Sequence, residues 1–265
     1  MEPIKFFERE LRNRNYARNT RKIYTNYIEG FLAYADQHSQ TNPIEVIASF
    51  IDRFGSPEQR RLAYSSIIAY YRFVLKQKCP YQLRKQKVRK RIPLVLERSE
   101  ILAILDCIKN HRHRLIIGTI YAAGLRVSEV VKLKVADVNL SNMTLLIHDS
   151  KNHKDRVTIL SKHLIKPLEK LIKDRFKGEF LFLNQSGLAY SVRTIQIIFT
   201  KALNKSGIQK KATCHTLRHS FATHLVESGI SLAEIQRLLG HKSVNTTMIY
   251  VHLADTSGCK IVSPL

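Results

Sequence analysis

The sequence predicts a mostly α-helical fold of two domains, with one small β-hairpin carried on the second domain. Three observations lead to this prediction. Apolar residues recur at spacings of three and four along most of the 265 residues, which is the period of a helix with one buried face. Residues 143–160 instead carry strand-like apolar runs on both sides of a polar segment. A strongly basic run separates two regions of regular pattern.

The first domain is predicted to be a unit of four helices. Its opening stretch places Ile4, Phe7 and Leu11 on one helical face. Further along, Ser56 and Pro57 supply an N-cap and a first-turn proline for the last of the four helices. The predicted helices occupy residues 3–15, 19–37, 42–55 and 56–78.

The basic run covers residues 76–91, where eight of sixteen residues are Lys or Arg and none is acidic. Such a run is commonly a solvated surface segment. Because it lies between two globular stretches, it could equally be a linker laid along a DNA backbone. We therefore predict a first domain of residues 1–84, a linker of residues 85–93 and a second domain of residues 94–265.

The second domain is predicted to be mainly helical around the hairpin of residues 143–160. Ser99 is expected to cap its first helix, and Gly124 to end its second. A short third helix follows that glycine. The predicted helices occupy residues 97–110, 114–124, 125–138, 163–175 and 191–207 and continue through residues 215–250.

The charge of the chain indicates a polyanionic partner. The formal net charge is +23 and the pI is about 10.1, and nucleic acid is the leading candidate since phosphate neutralisation drives such binding. A generally basic surface and an anionic membrane are weaker alternatives. No apolar run is long enough for a transmembrane span, and the charged N-terminus is unlike a signal peptide. The four cysteines lie far apart, which favours free thiols and a cytoplasmic location.

Residues 215–250 gather four histidines, two arginines and a tyrosine but only two carboxylates. On a helix, His215, Arg218 and His219 share one face. A zinc site is disfavoured because Thr216 stands where a HExxH motif has its glutamate, and because an arginine lies between the histidines. A phosphate site fits better, since arginine is the preferred partner of phosphate oxygens. Tyr250 would become a nucleophile there if adjacent cations favoured its phenolate.

These motifs resemble those of the tyrosine recombinases, the phage integrase and Xer family of site-specific DNA recombinases. The family motif H-x-x-R-H matches "HTLRH", and the following "LGH" supplies His241, with Tyr250 nine residues later. Upstream, "AGLRVSE" matches the first arginine motif with Arg126 and Glu129. In the hairpin, "DSKNHKDR" places Lys151 at the family's lysine, although Ser150 and Asn152 replace two family glycines, and Lys154 is the second candidate.

The resemblance implies the two-domain tyrosine recombinase architecture, with a helical core-binding domain and a mainly helical catalytic domain. It also implies roles for individual residues. Tyr250 would attack a phosphodiester to form a 3′-phosphotyrosyl link, while Arg126 and Arg218 bind the phosphate oxygens and Lys151 protonates the leaving 5′-oxygen. His215 would take the tyrosine proton or hold the phosphate, and His241 would add a hydrogen bond. Glu129 and His219 are supporting residues.

The resemblance further implies double-stranded DNA as partner, a tetramer assembled on it, and neither ATP nor a metal as cofactor. An accessory recombinase or a DNA-bending protein could take part. Two rivals are a relaxing enzyme of the type IB topoisomerase kind and a DNA-binding regulator with a degenerate site, and a metallohydrolase is weaker still. The cations expected to contact DNA are Lys76, Lys78, Arg84, Lys85, Lys87, Arg89, Lys90, Arg91, Lys154 and Arg156.

Overall fold

The computed structural model describes residues 2–84, 93–148, 155–241 and 243–256. The chain forms two compact units, Met1–Lys90 and Arg91–Leu265. The predicted linker falls at this division in the sequence, but its bounds stay a prediction because most of it lies outside the described residues. None of the described helices is long and apolar enough to cross a membrane.

Residues 2–84 of the first unit contain four α-helices, and the last of them continues as a π-helical turn, Tyr71–Leu75. As predicted, Ser56 caps the fourth helix: its hydroxyl accepts a hydrogen bond from the backbone N–H of Gln59. Phe7 and Leu11 lie in the buried core of this unit. The four helices are α1 (Glu2–Asn13), α2 (Arg18–Gln37), α3 (Pro43–Asp52) and α4 (Pro57–Tyr70).

The described part of the second unit has eight α-helices. They are α5 (Arg98–Asp106), α6 (His111–Ala122), α7 (Val127–Val130), α8 (Lys162–Ile172), α9 (Val192–Lys205), α10 (Cys214–Glu227), α11 (Leu232–Leu239) and α12 (Val244–Thr256). The mostly helical fold class is confirmed.

Two local predictions in this unit are corrected. Ser99 does not cap α5: the N-cap is Glu97, whose backbone N–H donates to the carboxylate of Glu100 at 2.8 Å. Because this reciprocal capping box satisfies the first turn, the helix begins one residue before Ser99. The helix predicted over residues 125–138 is only the single turn α7, followed by a 3₁₀ turn at Val135–Asp137.

The predicted hairpin belongs to a three-stranded antiparallel sheet of order β1-β2-β3. The strands are β1 (Val138–Asn139), β2 (Thr144–Ile147) and β3 (Arg156–Ile159). In β3 the side chains of Arg156 and Thr158 are buried, while Val157 and Ile159 are exposed. The polar face of this strand therefore points into the protein, and Ile147, the last residue of β2, pairs with Arg156, the first residue of β3.

Helices α10, α11 and α12 enclose a second, smaller apolar cluster. It contains Phe221, Ala222, Ile235, Leu239 and Tyr250. The tyrosine singled out in the sequence thus packs on this cluster, apart from the main core of the unit.

Candidate active site

The first arginine motif forms a tight turn between α6 and α7. Gly124 adopts a left-handed conformation with φ of 61°, and a Cβ atom there would lie 2.4 Å from the ring of Phe221, so the position requires glycine. Directly after it, the backbone N–H of Arg126 donates to Glu129 Oε2 at 2.8 Å, and Arg126 Nη1 donates to Glu129 Oε1 at 2.6 Å. The turn therefore fixes the guanidinium of Arg126 next to a carboxylate.

Glu129 is the centre of a buried ionic network. Arg156 donates to both of its carboxylate oxygens, at 2.8 and 2.7 Å, and Arg218 Nη1 lies 3.8 Å from Oε2. Burial alone would raise the pKa of Glu129, but the hydrogen bonds and charge of Arg156, the Arg126 N–H and the charge of Arg218 lower it to about 2. Glu129 is therefore a carboxylate throughout the neutral range.

Arg218 is held in α10 with 1% of its surface exposed. Its guanidinium donates to the carbonyl oxygens of Gly124 at 2.7 Å and Leu239 at 2.6 Å, and Nη2 lies 3.3 Å from His241 Nε2. Burial and the charge of Arg126 lower the pKa of Arg218 to about 9, so it is cationic at neutral pH. These carbonyls direct the guanidinium towards the turn that carries Arg126.

His241 follows the C-cap of α11, where Gly240 takes a left-handed φ of 65°. Its Nε2 must accept from Arg218, because a guanidinium only donates. The other ring nitrogen, Nδ1, therefore carries the proton and donates to Thr247 Oγ1 at 3.0 Å. Burial and the charge of Arg218 lower the pKa of His241 to about 4, which keeps the imidazole neutral in this role.

Tyr250 lies in α12 with only 3% of its surface exposed. Its hydroxyl is 3.0 Å from His219 Nδ1, and its ring stacks against that of His241 with a centroid separation of 6.2 Å. Burial raises the pKa of the phenol, opposed by the charges of Arg218 and Arg126. The expectation that adjacent cations stabilise the phenolate is therefore outweighed by burial, and the group is a neutral phenol in this structure.

The two histidines of the H-x-x-R-H motif occupy different surroundings. His219 is half-buried beside Tyr250, and burial and the nearby His215 lower its pKa to about 4. His215 is exposed, and its ring centroid lies 4.6 Å from that of His219. It is thus His219 that contacts the phenolic oxygen, while His215 faces outward.

This arrangement agrees with comparisons to known proteins. The model of the phage integrase family matches residues 95–257, more than half of the chain and all the described site residues. The chain belongs to the phage integrase family. Tyrosine recombinase XerA of Pyrococcus horikoshii is 32% identical over 238 residues, which cover 88% of this chain and 83% of that protein. Tyrosine recombinase XerD of Staphylococcus epidermidis is 33% identical over 259 residues, 91% of this chain and 87% of that protein.

Solved structures give the same result for the integrase fold. A crystal structure of XerA recombinase is 27% identical with a TM-score of 0.57, covering 97% of this chain and 95% of that chain. The crystal structure of the XerH recombinase bound to a palindromic difH substrate, a post-cleavage complex, has a TM-score of 0.75 at 24% identity. The match covers 92% of this chain and 79% of that chain. The prediction of a site-specific tyrosine recombinase, an enzyme that cleaves and rejoins DNA, is confirmed.

Seven of the eight predicted catalytic and supporting residues come together in the fold, and they are Arg126, Glu129, His215, Arg218, His219, His241 and Tyr250. Lys76, Lys78 and Arg84 are exposed in the first unit. Outside the described residues lie Lys85, Lys87, Arg89, Lys90, Arg91, Lys151 and Lys154.

The expectation that Arg156 is a DNA-facing cation is corrected. It is 7% exposed, and besides its two bonds to Glu129 its Nε donates to the carbonyl of Leu238 at 2.8 Å. A side chain buried in this way belongs with the ionic network and not with the surface cations. Thr247, the partner of His241, also went unnoticed in the sequence, where nothing distinguishes it from the neighbouring Thr246.

The half-buried imidazoles of this integrase predict a loss of stability in mild acid. Unfolded histidine titrates near about 6.5, whereas the folded pKa of His241 is about 4. As the pH falls below the unfolded value, the unfolded chain binds protons that the folded chain does not, so the free energy of unfolding falls until the folded pKa is reached. His241→Asn should reduce this fall in the free energy of unfolding by about 1 kcal/mol. One pKa unit corresponds to ~1.4 kcal/mol, and the partial exposure of the imidazole makes its contribution smaller than the full pKa shift would give.

The measurement is urea unfolding at neutral pH and at about pH 5, which lies between the pKa of His241 in the folded chain and its pKa in the unfolded chain. His163→Asn, which alters an exposed histidine in α8, is the matched control and should keep the wild-type difference between the two pH values. If wild type and His241→Asn lost the same free energy of unfolding in acid, the assignment of a neutral imidazole with a lowered pKa at His241 would be contradicted.

Proposed function

We propose that this recombinase acts on double-stranded DNA through a 3′-phosphotyrosyl link to Tyr250, with neither ATP nor a metal ion. The observation that carries the proposal is one cluster. The Tyr250 hydroxyl contacts an imidazole, and the ring beside it belongs to His241, which in turn contacts Arg218. A phenol, a proton acceptor and guanidinium groups are the parts that a phosphoryl transfer needs.

In the cleavage step, Tyr250 Oη forms a bond to the phosphorus and the bond from phosphorus to the 5′-oxygen breaks. The phenolic proton passes to His219, because its Nδ1 lies 3.0 Å from Oη and its lowered pKa leaves it neutral and able to accept. Exposed His215 is the histidine that holds a non-bridging phosphate oxygen. Each proton transfer of this kind contributes about 10²–10⁴ to the rate.

The arginines supply the electrostatic part of the step. Negative charge builds on the non-bridging oxygens as the phosphorus becomes five-coordinate. Arg126 and Arg218 are held by backbone and carboxylate partners before any substrate arrives, so little reorganisation is needed to meet that charge. His241 adds a hydrogen-bonding group beside Arg218.

The leaving 5′-oxygen takes its proton from Lys151, a role supported by the resemblance of "DSKNHKDR" to the family's hairpin motif. Because the phosphotyrosyl bond conserves the energy of the phosphodiester, a 5′-hydroxyl from another strand can reverse the step. Exchange of strands then requires no ATP.

The proposed partner is supported by charge and by relatives. The net charge of +23 favours a polyanion. Among the similar structures, XerH, lambda integrase and the Tn1549 transposon integrase are bound to DNA.

Exchange between two duplexes needs several active sites, so the working form is a tetramer on DNA, and an accessory recombinase or DNA-bending protein can assist it. In the first unit, exposed Lys76, Lys78 and Arg84 lie at the start of the basic run and would contact the backbone.

The function is tested with a pool of randomised duplexes that carry a nick in one strand. Cleavage near the nick releases a short fragment that diffuses away, so religation is prevented and the covalent product accumulates. A protein–DNA complex that survives detergent, with the 5′-labelled fragment attached and a free 5′-hydroxyl on the other fragment, is the expected result. Attachment through the opposite end would contradict the 3′-phosphotyrosyl link. Relaxation of a supercoiled plasmid without strand exchange would instead indicate a topoisomerase-like activity.

Removal of divalent metal should leave cleavage unchanged. Glu129, the carboxylate of the cluster, is already engaged by Arg126 and Arg156, and the charge that stabilises the phosphate comes from guanidinium groups. Two-metal nucleases use carboxylate-bound ions for that purpose. The rate of covalent complex formation is measured with and without a chelator, and magnesium is added back as a control. A strict requirement for magnesium would refute this mechanism.

A further inference from the structure

We propose that Arg156 is a positioning residue of the recombination reaction, which holds Glu129 so that Arg126 and Arg218 remain available to the phosphate. This rests on the proposed function. Arg156 was predicted to be a DNA-contacting cation, but its burial removes it from the protein surface. Its role has to follow from what its side chain touches.

All three guanidinium nitrogens of Arg156 have acceptors inside the protein. Nη1 and Nη2 donate to the two oxygens of Glu129 at 2.8 and 2.7 Å, and Nε donates to the carbonyl of Leu238 at 2.8 Å. This parallel two-bond pairing is the strongest arrangement available between an arginine and a carboxylate. The guanidinium of Arg126 donates to only one oxygen of Glu129, its backbone N–H donates to the other, and Arg218 lies 3.8 Å away. Among the three guanidinium groups, Arg156 is therefore the one that binds both oxygens of Glu129.

The charge of the cluster depends on this pairing. Three guanidinium groups and one carboxylate leave two positive charges. A phosphodiester carries one negative charge, and a second develops as the tyrosine oxygen adds to the phosphorus. Without Arg156 the carboxylate would face Arg126 and Arg218 alone, leaving one positive charge where two negative charges develop. In a buried site such a difference acts with little screening.

Arg156 also joins three segments of the second unit. It is the first residue of β3, five positions after Lys151, and it binds α7 through Glu129. Through Leu238 it binds the end of α11, next to His241, and a Cβ atom added at Gly240 would lie 2.9 Å from Arg156 Cδ. One side chain thus links β3, the first arginine motif and the segment of His241.

The test compares Arg156→Gln, Arg156→Lys and the double variant Arg156→Gln with Glu129→Gln. The probe is the nicked duplex that wild type selects from the randomised pool, at saturating protein in a single turnover. Arg156→Gln should slow covalent complex formation by about 10²-fold, the effect of losing one preorganised charge partner. Arg156→Lys keeps the charge and should lose less. In the double variant the cluster again has two positive charges, and its rate should rise at least about tenfold above that of Arg156→Gln.

Affinity for the same duplex and the melting temperature are measured in parallel. A purely structural role would lower the melting temperature without rescue by the second substitution, so a double variant no faster than Arg156→Gln overturns the proposal. Wild-type cleavage by Arg156→Gln overturns it as well. If Arg156→Gln does not fold, wild-type cleavage by Arg156→Lys has the same consequence. Absence of any covalent complex with wild type would refute the proposed function itself, which separates the two failures.

Discussion

Tyr250→Phe is expected to abolish covalent capture of DNA while leaving DNA binding intact. The substitution removes the phenolic oxygen that contacts His219 and keeps the ring in the cluster formed by α10, α11 and α12. Without a nucleophile the covalent route is closed, and losses of about 10⁴-fold or more follow from deleting such a group. The measurement is the yield of detergent-resistant complex on the nicked duplex, together with the dissociation constant for the uncut duplex.

Tyr190→Phe is the matched control for this prediction. Its hydroxyl also contacts an imidazole, with 3.1 Å to His113 Nε2, in another part of the second unit. The control should lose a similar hydrogen bond, worth about 0.5–1.5 kcal/mol of stability, and keep full cleavage activity. Covalent complex formed by Tyr250→Phe at the wild-type rate would refute the assignment of the nucleophile.

Arg218→Lys is expected to slow cleavage by about 10²–10³-fold, the cost of removing a preorganised donor from a developing negative charge. An ammonium group keeps the charge but cannot reach Gly124 O, Leu239 O and a phosphate together as the planar guanidinium does. One of the buried carbonyls then lacks a partner, which should also lower the free energy of unfolding by about 1–3 kcal/mol. Single-turnover cleavage and urea unfolding measure the two effects.

Arg175→Lys is the control that separates the loss of cleavage from the loss of stability expected for Arg218→Lys. Arg175 likewise donates to two carbonyls, of Phe180 at 2.6 Å and Leu181 at 2.8 Å, and it pairs with Glu179. The control should therefore lose stability and retain the wild-type cleavage rate. If both variants lost cleavage in proportion to stability, Arg218 would be a structural residue and its place at the phosphate would be refuted.

Much of the fold could be predicted because its patterns are local. Helical periodicity, the Ser56–Pro57 start of α4 and the break at Gly124 each act within a few residues. Errors arose where a nearby side chain competes for the same role. Glu97 with Glu100 caps α5 better than Ser99 does, and the turn that binds Arg126 to Glu129 limits α7 to a single turn.

The site could be predicted in its residue types but not in its contacts. Arg126, Arg218 and Tyr250 could be assigned to one predicted active site, because each lies in a recognisable sequence motif at the expected spacing. In β3, by contrast, the apolar residues Val157 and Ile159 face outward, opposite to what alternation alone favours, because Arg156 and Thr158 have buried polar partners across the fold. Those partners, Glu129 and the carbonyl of Ala123, lie far away in sequence, so no local pattern reveals them.

The buried ionic network has a practical consequence for kinetics. With the pKa of Glu129 at about 2 and that of Arg218 at about 9, neither of these two groups changes its charge across mildly acidic and neutral solution. The electrostatic contribution to catalysis is then a constant in that range. Any inflection in a plot of cleavage rate against pH must originate in the histidines, the tyrosine or the leaving group. Such a profile therefore reports the pKa values of those groups during strand cleavage, without interference from Glu129 or Arg218.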